Sequence, residues 1–186
     1  MTLSHYACKR AYLTDKNFLT DMKKYAKFVG EANFTDYVFG SANTDKNLFW
    51  VREIHKNVWP SMKVGKFYPF FKANIIWSSG FQIFDMPVGM PMKECSSLQE
   101  AQRYLPDKLK TLFSFNRTTQ EFMQNNLSIY IEEVEHIPAT VEIVCKTEKQ
   151  SLKKNMETVD KFMKKYKLTK IIPHQVATLV KKELRR

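Results

Sequence analysis

The sequence has none of the short motifs that mark the commonest nucleotide-binding and hydrolytic sites. It contains no GxxxxGKS/T, GxGxxG, HExxH or GxSxG pattern. These absences exclude a P-loop, a dinucleotide-binding unit, a zincin centre and a nucleophile elbow of the usual form. The histidines show no metal-ligand spacing and are expected to be ordinary surface or core residues: His5, His55, His136 and His174.

Cysteine and long apolar runs are scarce as well. The three cysteines, Cys8, Cys95 and Cys145, form no CxxC pair, which favours reduced thiols over a disulfide framework. No apolar run is long enough to span a membrane, and the N-terminal segment MTLSHYACKR lacks the apolar block of a signal peptide. We therefore expect an intracellular, cytoplasmic protein that does not insert into a membrane.

Acidic residues are too few to balance the basic ones. The 19 Asp and Glu residues face 30 Lys and Arg residues, which gives a formal net charge of +11. Such an excess attracts polyanions such as nucleic acids, nucleotides or polyphosphate. The 186 residues, 44% of them hydrophobic, are enough for one globular domain with its own core. We assign residues 1–186 to that single domain.

The most informative stretch is Asn126–Lys146, NLSIYIEEVEHIPATVEIVCK. Apolar and polar residues alternate in it with a period of two on both sides of a break at residues 136–138, which predicts two strands joined by a turn. When the strands pair, Glu132 and Glu142 can face the same side of the hairpin. Carboxylates on the inner wall of a sheet are costly unless they meet cations, so we expect basic residues or a metal ion beside them.

Strand and helix signals alternate along the rest of the chain. A first strand is predicted at Leu3–Leu13, and a helix that ends at Gly30 follows it. The apolar side of this helix carries Phe18, Met22, Tyr25 and Val29. Further strands are predicted at residues 33–39, 48–55, 66–77, 81–84 and 109–117, and further helices at residues 97–104, 151–166 and 173–184. The fold class is therefore α+β, with strands dominating the middle of the chain.

Single basic residues lie on or beside several of these strands: Arg10, Arg52, Lys72, Arg117 and Lys146. Taken singly, a basic residue on a strand commonly protects a sheet edge against aggregation. Taken together with the two glutamates of the hairpin, the set fits the interior of a barrel that binds a polyphosphate. The residues alone leave both interpretations open.

The order of these segments resembles that of the CYTH superfamily, the triphosphate tunnel proteins. The resemblance covers nearly the whole chain and is carried by DYVF, FWVRE, FFKAN, NRTT and IYIEEVEHIPATVEIV. The superfamily includes class IV adenylyl cyclases and thiamine, inorganic and RNA triphosphatases. It implies an antiparallel eight-stranded β-barrel flanked by helices, with a tunnel that holds a triphosphate and a divalent metal.

The resemblance also implies a function and a set of site residues. The ligand is expected to be a nucleotide or another organic polyphosphate, and any activity that of a phosphohydrolase (triphosphatase) or a nucleotide cyclase. The expected phosphate-binding residues are Arg10, Arg52, Lys72, Arg117 and Lys146. The expected ligands of a Mg²⁺ or Mn²⁺ ion are Glu132 and Glu142.

The first strand departs from the family pattern ExExK, because Tyr6 and Cys8 stand where the two glutamates are expected and Arg10 stands at the basic position. Hard divalent cations need several oxygen ligands, so the loss of these acids weakens the case for metal catalysis. It leaves the case for anion binding unchanged.

The alternative function is a non-catalytic module of the same fold that contacts nucleic acid or an acidic protein partner. It depends on a set of lysines near the C-terminus, together with Arg185 and Arg186 at the end: Lys153, Lys154, Lys161, Lys164, Lys165, Lys167 and Lys170. A solvated helix face is the commoner explanation of such a run, but few acids compensate this one. In a further alternative, the chain is a structural subunit of an assembly, with the loop Met86–Met92 at an interface.

Overall fold

The computed structural model of the chain describes residues 3–40, 49–57, 62–70, 74–78, 81–87, 93–106, 109–147, 152–173 and 176–185. Side chains are described at all of these except residues 3–6, 70, 74–78, 81–87 and 146–147. No helix within these ranges is long and apolar enough to cross a membrane.

The described residues form nine strands and four helices. The strands are β1 (Leu3–Tyr12), β2 (Lys27–Gly40), β3 (Phe49–Asn57), β4 (Phe67–Phe70), β5 (Asn74–Ser78), β6 (Phe81–Pro87), β7 (Lys110–Gln124), β8 (Leu127–Val134) and β9 (Thr140–Thr147). The helices are α1 (Phe18–Tyr25), α2 (Leu98–Gln102), α3 (Leu152–Lys165) and α4 (Val176–Glu183). The predicted α+β class is confirmed.

All nine strands belong to one antiparallel sheet, in the order β4-β3-β2-β7-β8-β9-β1-β6-β5. The longest ladder joins β2 to β7, and the hairpin predicted from the alternating stretch is formed by β8 and β9. Strand β1 pairs with β9, so the first and the last of the described strands are neighbours. This pairing places the N-terminal basic strand beside the acidic hairpin.

The eight-stranded barrel is not confirmed. The segment at residues 66–77, predicted as one strand, is divided between β4 and β5, which pair with β3 and β6 near opposite edges of the sheet. Its aromatic and β-branched residues suit both strands, so the pattern did not reveal the change of partner. In the described ranges no ladder joins β4 to β5.

The first helix is shorter than predicted. It ends at Tyr25, and the residues from Lys27 onward belong to strand β2, which pairs with β7. Tyr25 and Val29 are exposed, whereas Phe18 and Met22 have no exposed surface. Only two members of the expected apolar stripe therefore face the core, and the continuation of the helical spacing through Val29 was coincidental.

The sheet has two unlike faces. Helices α1, α2 and α3 cover one of them, here called the helix face, where Phe18 and Phe162 pack against β-strand residues such as Phe122 and Ile143. The ring of Phe18 meets that of Tyr166 edge-on at 5.4 Å. This face supplies most of the apolar core.

The other face carries charged side chains and is here called the polar face. Helix α4 lies at one end of it, where Val176 and Val180 pack against Val38, Phe115 and Val134. The C-terminal helix therefore covers the end of the polar face at which β2 and β8 finish and β7 begins.

Candidate functional site

Strand register places three arginines on the polar face. Arg10 of β1 lies directly opposite Glu142 of β9, and Arg52 of β3 lies directly opposite Asp36 of β2. Arg117 of β7 pairs with Phe34 on β2, two residues before Asp36. Because side chains two residues apart share a face, these guanidinium groups converge although they are distant in sequence.

Glu132 lies at the centre of this cluster and has no exposed surface. Its Oε1 accepts a hydrogen bond from Nη2 of Arg117, and its Oε2 lies 3.2 Å from Nη2 of Arg10. The hydroxyl of Thr140 donates to the same Oε2 at 3.0 Å. Both carboxylate oxygens are therefore partnered, as a buried charge requires.

Arg10 and Arg52 bind the remaining two acids of the cluster. Nη2 of Arg10 lies 2.8 Å from Oε2 of Glu142, which confirms that Glu132 and Glu142 face the same side. Arg52 grips Asp36 with two nitrogens, Nε at 2.8 Å and Nη2 at 3.0 Å. Such a two-pronged contact fixes the guanidinium plane as well as its charge.

Arg52 and Arg117 share both an acid and an aromatic ring. Nη1 of Arg117 lies 3.7 Å from Oδ2 of Asp36. The guanidinium carbons of Arg52 and Arg117 lie 3.8 Å and 5.2 Å from the ring centre of Phe34. The ring face attracts both cations, so Phe34 and Asp36 together hold two like charges near each other.

Glu132 and Arg10 keep their charges despite their burial. Burial favours the neutral acid at Glu132, but the charges of Arg10 and Arg117 outweigh it and lower the pKa of Glu132 below its ordinary value. Burial also disfavours the charged form of Arg10, and the charges of Glu132 and Glu142 outweigh that effect and raise the pKa of Arg10. Three guanidiniums thus face three carboxylates.

Three polar atoms of the polar face are buried without a hydrogen-bond partner among the described residues: Nε of Arg10, Nε of Arg117 and Oγ1 of Thr119. Thr119 is the strand partner of Glu132 and lies two residues from Arg117. The unpartnered groups therefore cluster around one acid. Buried polar groups are normally satisfied, and exceptions call for an explanation such as a ligand or water.

A cavity of about 290 Å³ lies at the end of the polar face away from α4. It is lined by Met123, Asn125, Asn126, Leu127, Ser128, Tyr130 and Val144. Tyr130 lies directly opposite Glu142 in the pairing of β8 with β9, so the cavity is adjacent to the arginine cluster. Burial, with the nearby charge of Glu121, raises the pKa of Tyr130, and its hydroxyl stays protonated.

The described carboxylates do not fit a divalent cation in their present arrangement. Glu132 and Glu142 are both bound by Arg10, and no group of three or more acidic, His or Cys side chains in the described ranges is placed to hold a metal ion. Cys8 adds no ligand, because burial and the charge of Glu142 raise the pKa of its thiol well above the ordinary value. A protonated thiol is a poor metal ligand.

The side-chain positions of two expected phosphate-binding residues are not described. Lys72 lies outside the described residues, and Lys146 is described only through its backbone pairing with Tyr6. Sequence reasoning missed Asp36 and Thr140. The sequence does contain a signal for Asp36. It is an acid two residues from Phe34 and two from Val38, so it shares one face of β2 with two apolar residues.

All seven lysines of the alternative interpretation are exposed, and they form what is here called the lysine surface: Lys153, Lys154, Lys161, Lys164, Lys165, Lys167 and Lys170. It lies on and just after α3, whose opposite side packs onto the helix face through Val159, Phe162 and Met163. The lysine surface and the arginine cluster are therefore on opposite sides of the sheet.

No family model and no curated protein matches the sequence. Solved structures match the fold. A protein from Pyrococcus horikoshii superposes with a TM-score of 0.69 at 13% identity, over 96% of this chain and 99% of that one. A Vibrio parahaemolyticus protein provisionally named an adenylate cyclase superposes with a TM-score of 0.64 at 12% identity, over 100% of both chains.

The chain has the triphosphate-tunnel (CYTH) fold. Another structure with this fold is a chain of the Schizosaccharomyces pombe Mediator head module, which superposes with a TM-score of 0.57 at 8% identity, over 86% of this chain and 93% of that one. At such identities the likeness concerns the fold and leaves activity to be argued from the site.

Replacement of Glu132 tests the cluster. Glu132→Gln removes the charge that Arg10 and Arg117 share, so we expect the free energy of unfolding to fall by about 3–5 kcal/mol, measured by urea denaturation. The matched control is Glu133→Gln, the exposed neighbour on the same strand, which should leave the midpoint unchanged. Equal effects of the two substitutions would contradict the central place of Glu132.

The pH dependence of stability gives an independent test. The pKa of Glu132 is lower in the folded state than in an unfolded chain, where it is about 4.3. The stabilisation is therefore complete above the unfolded pKa and is lost as the pH falls through the folded pKa. We expect the difference in unfolding free energy between the wild type and Glu132→Gln to be constant above about pH 5 and to shrink as the pH falls below the unfolded pKa. A difference that stays constant below that pKa contradicts the assignment.

Proposed function

We propose that the polar face binds a nucleotide or another organic polyphosphate through Arg10, Arg52 and Arg117. The observation that carries the proposal is the convergence of these guanidiniums on one face, with Nε of Arg10 and of Arg117 buried and unpartnered among the described residues. Phosphate oxygens accept hydrogen bonds from guanidinium groups with matching geometry.

The recognition depends on directed donors more than on bulk charge. Asp36, Glu132 and Glu142 neutralise much of the positive charge of the cluster. Each guanidinium carries five N–H donors, and the contacts to the acids leave donors free for a ligand on Arg10 and Arg117. Lys72 and Lys146 are part of the proposal as additional cations for a ligand with several phosphates.

The cavity beside Tyr130 offers a place for the organic part of the ligand. Its volume of about 290 Å³ is at the lower end of the range for small-molecule sites. The amides of Asn125 and Asn126 and the hydroxyl of Ser128 line it together with apolar side chains. This combination suits a compact ring with polar edges, attached to phosphates that reach towards Arg10.

Thermal melting with defined ligands tests the proposal. The probes are tripolyphosphate, ATP, GTP and thiamine triphosphate, each with and without Mg²⁺ or Mn²⁺, and the release of phosphate or of a cyclic nucleotide is followed in the same samples. A ligand at about 100 times its dissociation constant should raise the melting temperature by about 5–10 °C. The idea fails if none of the four moves the melting curve.

Variants locate the binding surface. Arg117→Gln should lose most of the ligand-induced shift, measured against its own melting temperature without ligand. The control is the combined variant Lys161→Glu, Lys164→Glu and Lys165→Glu, which should keep the full shift because the lysine surface lies on the other side of the sheet. The reverse pattern would assign the polyphosphate to the lysine surface.

A second candidate function is a non-catalytic contact between the lysine surface and an acidic protein segment. The exposed lysines are accompanied on α3 by two acids, of which Asp160 is bound to Lys9. The aromatic residues of this helix and its C-terminal turn, Phe162 and Tyr166, are buried. Without exposed rings there, the described surface lacks stacking platforms for single-stranded nucleic acid, which favours an acidic polypeptide.

Fluorescence anisotropy with labelled poly-glutamate and with single-stranded RNA of equal length tests this second function. We expect poly-glutamate to bind with a steep salt dependence and to lose binding in the variant Lys161→Glu, Lys164→Glu and Lys165→Glu. The control makes the same charge change elsewhere, at the exposed residues Lys63, Lys93 and Lys110. Equal losses in both variants would show a bulk charge effect, and stronger binding of RNA would favour nucleic acid.

A further inference from the structure

We propose that the guanidinium of Arg10 serves as a built-in cation between Glu132 and Glu142, so that the polar face takes its ligand without a divalent metal ion. The inference goes beyond the proposed function, because it concerns which cation organises the two acidic strands β8 and β9. It can be tested without a polyphosphate.

The geometry of Arg10 carries the inference. A single nitrogen, Nη2, lies 3.2 Å from Oε2 of Glu132 and 2.8 Å from Oε2 of Glu142. One cationic atom thus joins carboxylates from two neighbouring strands, as a bridging metal ion would. The side chain of Arg10 is only 6% exposed, and its position is fixed by the strand pairing of Arg10 with Glu142.

The surrounding contacts leave little room for a second cation. Glu132 is also bound at Oε1 by Arg117 and at Oε2 by the hydroxyl of Thr140. A Mg²⁺ ion needs oxygen ligands at about 2.0–2.1 Å, and Ca²⁺ needs six to eight of them. A divalent ion at these carboxylates would have to displace the Arg10 guanidinium or lie against it, and two cations at such a distance repel each other.

The same side chain can still serve a ligand. Arg10 uses Nη2 for both acids, and its Nε is buried and unpartnered among the described residues. A guanidinium can bind carboxylates along one edge and an oxyanion along another, because its five donors point outward in one plane. Arg10 therefore combines the positive charge that a metal ion would supply with the donors of a phosphate-binding residue.

Removal of Arg10 should create a metal site. Arg10→Ala leaves Glu132 and Glu142 facing an emptied space, and one or two carboxylates with water are a usual ligand set for Mg²⁺. The experiment is a titration with Mn²⁺ alone, in which electron paramagnetic resonance measures free Mn²⁺ and melting curves follow stability. We expect no detectable binding by the wild type, and in Arg10→Ala a dissociation constant on the order of 1 mM or tighter, with a rise in melting temperature on adding Mn²⁺.

Two controls define the site. Arg52→Ala also removes an arginine of the polar face, but its acid Asp36 keeps a contact with Arg117, so it should gain no Mn²⁺ binding. Adding Glu142→Gln to Arg10→Ala should abolish the gain. If Arg10→Ala does not fold, Arg10→Gln, which keeps much of the side-chain volume, is measured in its place.

Either of two results would overturn the proposal. One is Mn²⁺ binding by the wild type that is lost on Glu142→Gln, because the carboxylates would then hold a metal despite Arg10. The other is no more Mn²⁺ binding by the Arg10 variant than by Arg52→Ala. Neither result depends on polyphosphate, so the failure of this proposal and the failure of the proposed function are distinguishable.

Discussion

A carboxylate with no exposed surface, that of Glu132, lies where strands β1, β7, β8 and β9 meet. An ionised acid is costly in such a place unless cations and hydrogen bonds replace its water. Arg10 and Arg117 come from strands on either side of the β8–β9 hairpin, and Thr140 comes from the hairpin itself. A shift of one residue in any of these strands would turn the partner to the helix face, so the ion cluster and the strand register depend on each other.

This dependence explains how one sheet carries two unlike surfaces. On the helix face, α1, α2 and α3 bury apolar residues in the ordinary way. On the polar face, three arginines and three acids form one connected cluster, and helix α4 covers one end with a small apolar cluster. Between α4 and the cavity near Tyr130 lies the arginine cluster, in which Nε of Arg10 and Nε of Arg117 are buried and unpartnered among the described residues. These two donors are the basis of the proposal that the polar face binds an anion.

The sequence predicted the parts of this arrangement that follow from local periodicity. The alternation around Glu132 and Glu142 identified the hairpin, and Arg10 and Arg52 were predicted to lie on strands, which the structure confirms. Asp36 was not predicted, because a single acid in an apolar strand gives no local sign that its ion-pair partner, Arg52, lies on another strand. The division of residues 66–77 into β4 and β5 was not predicted for a similar reason. Both halves have the composition of a strand, and only the tertiary fold determines that they pair with different strands.

We propose that the arginine cluster of the polar face binds an anion without a metal ion. A crystal structure of the chain grown with tripolyphosphate and a chelator of divalent cations tests this proposal. We expect a phosphate group within hydrogen-bonding distance of Nε of Arg10 and Nε of Arg117, with Glu132 and Glu142 still bound to Arg10. Tripolyphosphate found only against the lysine surface, with the polar face unchanged and free of phosphate, would contradict it.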